Sequence, residues 1–150
     1  MMGHVLIDRL LDLGQRRNKE IAEQWYKAIS TSPRTPSCHK LPREWCLKQA
    51  ESLYKELKDL YFCNSPYETV CQHLDNMGYA EYNYARGVPL NEAIYALILM
   101  RRHLWLYADM QAMYNTANDL FQVVESLNRT ILLFDYAIYI VSQRYYEIKR

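Results

Sequence analysis

The four histidines of this sequence are its best candidates for binding a metal ion or a haem iron; they are His4, His39, His73 and His103. Metal ligands on one helical face are spaced three or four residues apart. Cys71 and His73 are only two residues apart, and Cys38 and His39 have no second pair of ligands nearby. The spacings of known zinc sites are therefore missing, and we expect neither a metal ion nor a resident cofactor.

Haem is an alternative, because it needs a proximal histidine that points into an apolar pocket. His73 is the best candidate for that role, since it lies between the apolar residues Val70 and Leu74. His103 follows two arginines, whose charges are costly in the floor of a pocket. The competing interpretation, which we favour, places His73 at the edge of the core without haem.

Catalytic signatures are missing from the sequence, which has neither a G-x-S-x-G nucleophile motif nor evident paired carboxylates. We therefore expect no enzymatic activity. Two charged residues lie in apolar surroundings, Arg101 in a helical seam and Asp135 within ILLFDYAIYIV. Because a buried charge needs a partner, we predict that both are paired, and each is a candidate partner for the other. Alternatively, Arg101 extends its charged end to water and Asp135 faces solvent.

Apolar residues at steps of three and four predict helices along most of the chain, and no alternating pattern predicts a strand. The first helical region runs from Val5 to about Ser30, with a division at Gly14. Prolines 33 and 36 mark a loop. Later helices are predicted to begin near Pro42, Pro66, Leu90 and Leu120. The sequence thus predicts an all-α bundle.

The segment Arg86-Gly87-Val88-Pro89 predicts a tight corner between two helices. Glycine suits the left-handed position that ends a helix, and proline suits the first turn of the next. A phosphate-binding loop is the alternative, but the G-x-G-x-x-G and G-K-[ST] frames are missing. The apolar run AIYALILM that follows is shorter than the ~20 residues needed to cross a bilayer. We expect a buried central helix there, and no membrane insertion.

The longest periodic pattern lies near the end of the chain and predicts one helix of about thirty residues. Every step in this pattern is three or four residues. Its members are Leu120, Val124, Leu127, Ile131, Phe134, Ile138, Val141, Tyr145 and Ile148. We interpret this stripe, together with residues of the helix that begins at Leu90, as the surface of a homodimer, and we expect a signal to leave the domain through residues 138 to 150.

Composition narrows the function further. The 150 residues suit a single domain. With 18 basic and 17 acidic side chains, the net charge is +1, which gives no field to attract nucleic acid. The start of the chain lacks the basic region of a secretory signal, and the four cysteines lack C-x-x-C spacing. We expect a cytoplasmic protein with free thiols.

Three segments resemble the N-terminal domain of RsbT co-antagonist proteins of the RsbR/RsbRD type. They are IAEQWYKAI, the stretch PYETVCQHLDNMGYAEYNYARGVPLNEAIYALILMRRHLW, and YAIYIVSQRYYE. The resemblance extends from about residue 21 to residue 146 and consists of helix-packing residues rather than catalytic ones.

The resemblance implies a globin-like helical bundle that carries no haem and forms a dimer. Such domains form the N-terminus of STAS proteins of the stressosome, and related domains precede histidine kinases. We therefore expect a sensory domain of a stress response that acts on a STAS or kinase output module, in cis or in trans. The sequence up to Arg150 contains no such module, and we expect either a stand-alone protein or the N-terminal part of a longer one, so a role in phosphorylation is not carried over.

Overall fold

Helices make up nearly all of the described chain. A computed structural model describes the main chain over residues 5–110 and 117–149, and the side chains over residues 11–107 and 128–149. These ranges contain a short 3₁₀ helix, Pro36–Lys40, and seven α-helices, and no strand occurs in them. The α-helices are α1 (Val5–Arg16), α2 (Asn18–Thr31), α3 (Arg43–Phe62), α4 (Pro66–Met77), α5 (Tyr79–Ala85), α6 (Leu90–Met110) and α7 (Ala117–Lys149). The predicted all-α class is confirmed, whereas a globin-like arrangement stays a prediction.

The first helical region divides at Arg17, so the prediction of a division at Gly14 is wrong. Gly14 lies inside α1, where that helix meets α3. A methyl group added there would lie 3.4 Å from the main-chain oxygen of Tyr54. The glycine is thus explained by close packing of two helices, and this close contact cannot be read from the local sequence.

The next helices begin where their prolines predict, since α3 follows Pro42 and α4 begins at Pro66. One break in this region was missed by the prediction. Gly78 separates α4 from α5 with φ 64°, and its amide donates to the carbonyl of Leu74 at 2.9 Å. The apolar face of α3 is buried, and its members are Cys46, Ala50, Leu53, Leu57 and Leu60.

The predicted corner between α5 and α6 is confirmed. Gly87 has φ 79°, a left-handed conformation that a side chain would strain. The amide of Val88 donates to the carbonyl of Asn83 at 2.9 Å, which closes the end of α5. Pro89 then precedes the first residue of α6. The glycine therefore belongs to the geometry of a helix corner.

Aromatic side chains of three other helices donate hydrogen bonds to the main chain of α6. The hydroxyl of Tyr79 donates to the carbonyl of Ala93 at 2.8 Å. The indole of Trp25 donates to the carbonyl of Ala96 at 2.7 Å, and the hydroxyl of Tyr54 donates to that of Met100 at 2.5 Å. The two alanine side chains are short enough to leave the main chain accessible. These bonds fix α6 relative to α2, α3 and α5.

Helix α7 packs against α1, α3, α4, α5 and α6. It runs for 33 residues, or about 50 Å at 1.5 Å per residue. This long final helix confirms the sequence prediction. Among the described residues, none of the helices combines the length and the apolar character that crossing a bilayer requires.

We expect the Tyr54→Phe substitution to lower the free energy of unfolding by about 1 kcal/mol. It removes one buried hydrogen bond and no apolar surface, and the carbonyl of Met100 keeps its helical partner. Urea unfolding followed by circular dichroism measures the change. Tyr95→Phe on α6 is the matched control, because the Tyr95 hydroxyl forms no hydrogen bond within the described chain. Equal effects of the two substitutions would contradict the assigned role of Tyr54.

Candidate functional site

The stripe predicted on α7 packs into the core of its own chain from Ile131 to Tyr145, whereas Ile148 is exposed. The buried members are Phe134, Val141 and Tyr145. The partly buried members are Ile131 and Ile138. The side chains of Leu120, Val124 and Leu127 lie outside the described residues. This corrects the predicted dimer surface for the three buried members, because other helices of the same chain already cover them.

A second line of large side chains follows the opposite face of α7, and we call it the outer ridge. It consists of Leu132, Tyr136, Tyr139, Gln143 and Tyr146. Three of these, Leu132, Tyr139 and Tyr146, are 44%, 54% and 64% exposed and lie seven residues apart. Such a spacing keeps side chains on one face of a helix. The seven-residue spacing is present in the sequence, but the apolar stripe on the other face of the same helix is the more prominent pattern.

Tyr67 of α4 extends the outer ridge sideways. Its ring meets that of Tyr136 edge to face, with ring centroids 5.4 Å apart. Its hydroxyl donates to the side-chain oxygen of Gln143 at 3.3 Å, and the amide nitrogen of Gln143 donates to the hydroxyl of Tyr139 at 3.2 Å. The ridge is therefore an ordered aromatic surface shared by two helices.

The end of α7 is tied to the α5–α6 corner through Tyr145. Its hydroxyl donates to the carbonyl of Val88 at 2.7 Å. The first turn of α6 does not use that carbonyl, because the amide of Glu92 donates to Pro89 instead. Burial raises the pKa of the Tyr145 hydroxyl, so the hydroxyl keeps its proton and remains a donor.

The neighbouring residue, Arg144, ties α7 to α4. Its guanidinium donates to both carboxylate oxygens of Asp75, at 2.9 and 3.1 Å. It also lies 3.1 Å from the sulfur of Cys71. Consecutive residues of α7 thus bind two different parts of the bundle, and a displacement of the helix end must disturb both.

An open cleft of about 620 Å³ lies between the α5–α6 corner and the last turns of α7. The apolar side chains of the corner form one wall, and residues near the end of α7 form the other. Its lining includes Tyr84, Val88, Pro89, Leu90, Ser142, Tyr145 and Lys149. The rings of Tyr84 and Tyr145 meet edge to face, with centroids 5.5 Å apart. The cleft is therefore bordered by the same tyrosine that fastens α7.

Arg101 and Asp135 approach each other as the sequence suggested. The guanidinium and carboxylate lie 3.6 Å apart. The side chain of Arg101 is 25% exposed and that of Asp135 is 56% exposed. The pairing is confirmed, but its burial is not, because Asp135 faces solvent as the alternative held. A pair this exposed contributes little to stability.

His73 is buried between α3 and α4 beside Val70 and Leu74. Its Nδ1 lies 2.9 Å from a carboxylate oxygen of Glu56, a residue at the surface. It lines neither the cleft at the end of α7 nor the small internal cavity between α3, α4 and α7. That cavity, of about 10 Å³, has room for one water molecule at most. Haem binding at His73 stays an untested alternative.

The cysteines are free thiols, as predicted. Burial raises the pKa of Cys38 and of Cys46 to about 12, so both thiols remain protonated at neutral pH. A protonated thiol is a weak nucleophile. Within the described residues, no group of three or more histidine, cysteine, aspartate or glutamate side chains is placed to hold a metal ion.

The sequence reasoning missed a buried carboxylate beside the corner. Glu92 is only 5% exposed. Its two oxygens accept hydrogen bonds from the amide of Ser37 at 2.7 Å and from the hydroxyl of the same serine at 2.9 Å. Glu92 thereby fastens the start of α6 to the 3₁₀ helix. A glutamate in the first turn of a helix is ordinarily explained by the helix dipole alone, so its position gives no signal of the bonds with Ser37.

Comparisons of the chain with protein-family models, with curated proteins and with solved structures found no match.

The pKa of Asp75 tests the attachment of α7 to α4. The hydrogen bonds from Arg144 hold it below its ordinary value of 3.8. The ion pair therefore stabilises the fold above that value, and the contribution disappears as the pH falls through the lowered pKa. We expect Arg144→Gln to raise the pKa of Asp75 and to destabilise the protein more at pH 7 than at pH 2.

An NMR titration of the Asp75 carboxyl carbon measures the pKa, and thermal unfolding at both pH values measures stability. Arg102→Gln is the control, because this exposed arginine lies on α6 and forms no ion pair within the described chain. An unchanged Asp75 pKa in the Arg144 variant would contradict the assignment.

Proposed function

We propose that this chain is a non-enzymatic, cytoplasmic sensory domain that forms a homodimer and transmits a signal through α7. The observation that carries the proposal is the combination of three features on one helix. The inner stripe of α7 fills the core, its outer ridge remains exposed, and its last turns border an open cleft. A change at the cleft would thus reach both the dimer surface and the end of the helix.

A second copy of the chain is the partner that best suits the outer ridge. Exposed apolar residues seven apart can meet the same residues of a symmetry-related helix. Their aromatic character is typical of the centre of a protein interface. The ridge replaces the inner stripe as the proposed dimer surface.

The resemblance to N-terminal domains of RsbT co-antagonist proteins supports the same function. It implies a stress-response pathway and a STAS or kinase module as the recipient of the signal, in cis or in trans. A conformational signal that leaves through the last turns of α7 suits either arrangement. The arrangement of helices expected from this resemblance is globin-like and free of haem.

A sensor that binds a small ligand, haem included, is the second candidate. The cleft at the end of α7 favours the small-ligand version, because its volume falls within the range of known ligand sites. For haem at His73, addition of haem to the purified protein followed by an absorption spectrum is decisive. A Soret band that His73→Ala removes would support haem, and a spectrum without one would end that hypothesis.

We expect the protein to sediment as a dimer at tens of micromolar, and Tyr139→Glu to weaken the dimer at least about tenfold. The substitution places a charge at the centre of the outer ridge, where desolvation is costly. Circular dichroism should show unchanged helix content, since this side chain is mostly exposed.

Lys27→Glu is the control, because it places a glutamate at an exposed position of α2 and changes the net charge by even more than Tyr139→Glu does. It should leave the dimer intact. A strictly monomeric parent protein would remove the dimer from the proposal, and a dimer that resists Tyr139→Glu would remove the ridge.

A further inference from the structure

The cleft at the end of α7 has the size and the composition of a site for a small organic ligand. Its volume of about 620 Å³ lies in the usual range of roughly 300–1,000 Å³. Pro89 and Leu90 present apolar surface from the corner, and Tyr84 and Tyr145 present aromatic rings. Such walls suit an apolar or aromatic body.

The electrostatics of the cleft favour an anion. Lys149 is the only charged residue among the described residues of the lining, and it forms no ion pair within that part of the chain. The hydroxyl of Ser142 also lacks a hydrogen-bond partner there. The nearby carboxylate of Glu92 is engaged by Ser37 and does not line the cleft.

We propose that this cleft binds a small monocarboxylate with an aromatic or branched apolar body. The body packs against Tyr84, Pro89 and Leu90, and the carboxylate pairs with Lys149 and accepts a hydrogen bond from Ser142. The ligand bridges the corner and α7, the two parts that the bond between Tyr145 and Val88 already joins.

Binding of the ligand stabilises the attachment of the α7 end to the corner. The residues of α7 beyond Tyr145 are exposed and continue the helix directly from that attachment. The role of the ligand as the input signal of a sensory dimer rests on the proposed function. As a binding event, it depends only on the cleft and can be measured without reference to dimerisation.

The test uses 4-phenylbutyrate as the probe and its neutral amide as the matched compound. Titration of the ¹⁵N-labelled full chain should shift amide signals of residues 84–90 and 142–149, and the acid should bind more tightly than the amide. Lys149→Gln should weaken the acid about fivefold and leave the amide within twofold, because it removes one partly exposed ion pair. Tyr84→Ala should weaken both compounds.

Lys48→Gln, an exposed lysine on α3, is the control and should alter neither affinity. Thermal unfolding checks that each variant is folded. Shifts confined to other residues, no shifts at millimolar probe, or equal affinities of acid and amide would each overturn the proposal.

Sedimentation separates the claim of ligand binding from the claim of dimerisation. A monomer that binds the probe in the cleft refutes the dimer alone, and a dimer without binding refutes the ligand alone.

Discussion

The three hydrogen bonds from buried aromatic side chains to the main chain of α6 are the constraint on which the bundle depends. Carbonyl oxygens inside a helix already accept one bond each, and short side chains nearby make their second lone pair more accessible. Ala93 and Ala96 provide that access. The donors come from α2, α3 and α5, so one helix sets the positions of three others. An apolar helix held in this way is a fixed reference for the rest of the domain.

Helix α7 has the opposite character. Its inner stripe packs into the core, but its last turns also make discrete polar contacts with other parts of the bundle, those of Gln143, Arg144 and Tyr145. The bonds from Arg144 to Asp75 are exposed and can open locally, whereas the buried bond of Tyr145 opens only when the end of the helix leaves the corner. The proposed signalling function needs a moving part, and a rigid α6 with an end of α7 that can detach would supply it. The outer ridge and the cleft lie on that same helix.

Sequence periodicity was sufficient to predict the class of fold and the length of α7. The corner was predicted from Gly87 and Pro89. Sequence reasoning failed wherever the answer depended on the partner of a side chain. The periodicity of α7 is compatible with two faces, and only tertiary packing showed that Phe134 and Val141 belong to the core while Tyr139 faces outward. Gly14 was misread because its neighbour is α3 rather than a turn. Glu92 was missed because its partner, Ser37, lies 55 residues away.

Amide hydrogen exchange tests the central claim, that α6 is fixed and the end of α7 is detachable. The amides of Leu97, Met100 and Leu104 donate to the three carbonyls that the aromatic side chains also occupy. We expect these amides to exchange only through global unfolding, and the amides of residues 142–149 to exchange through a local opening of lower free energy. Exchange in the centre of α6 that is as fast as at the end of α7 would contradict this claim.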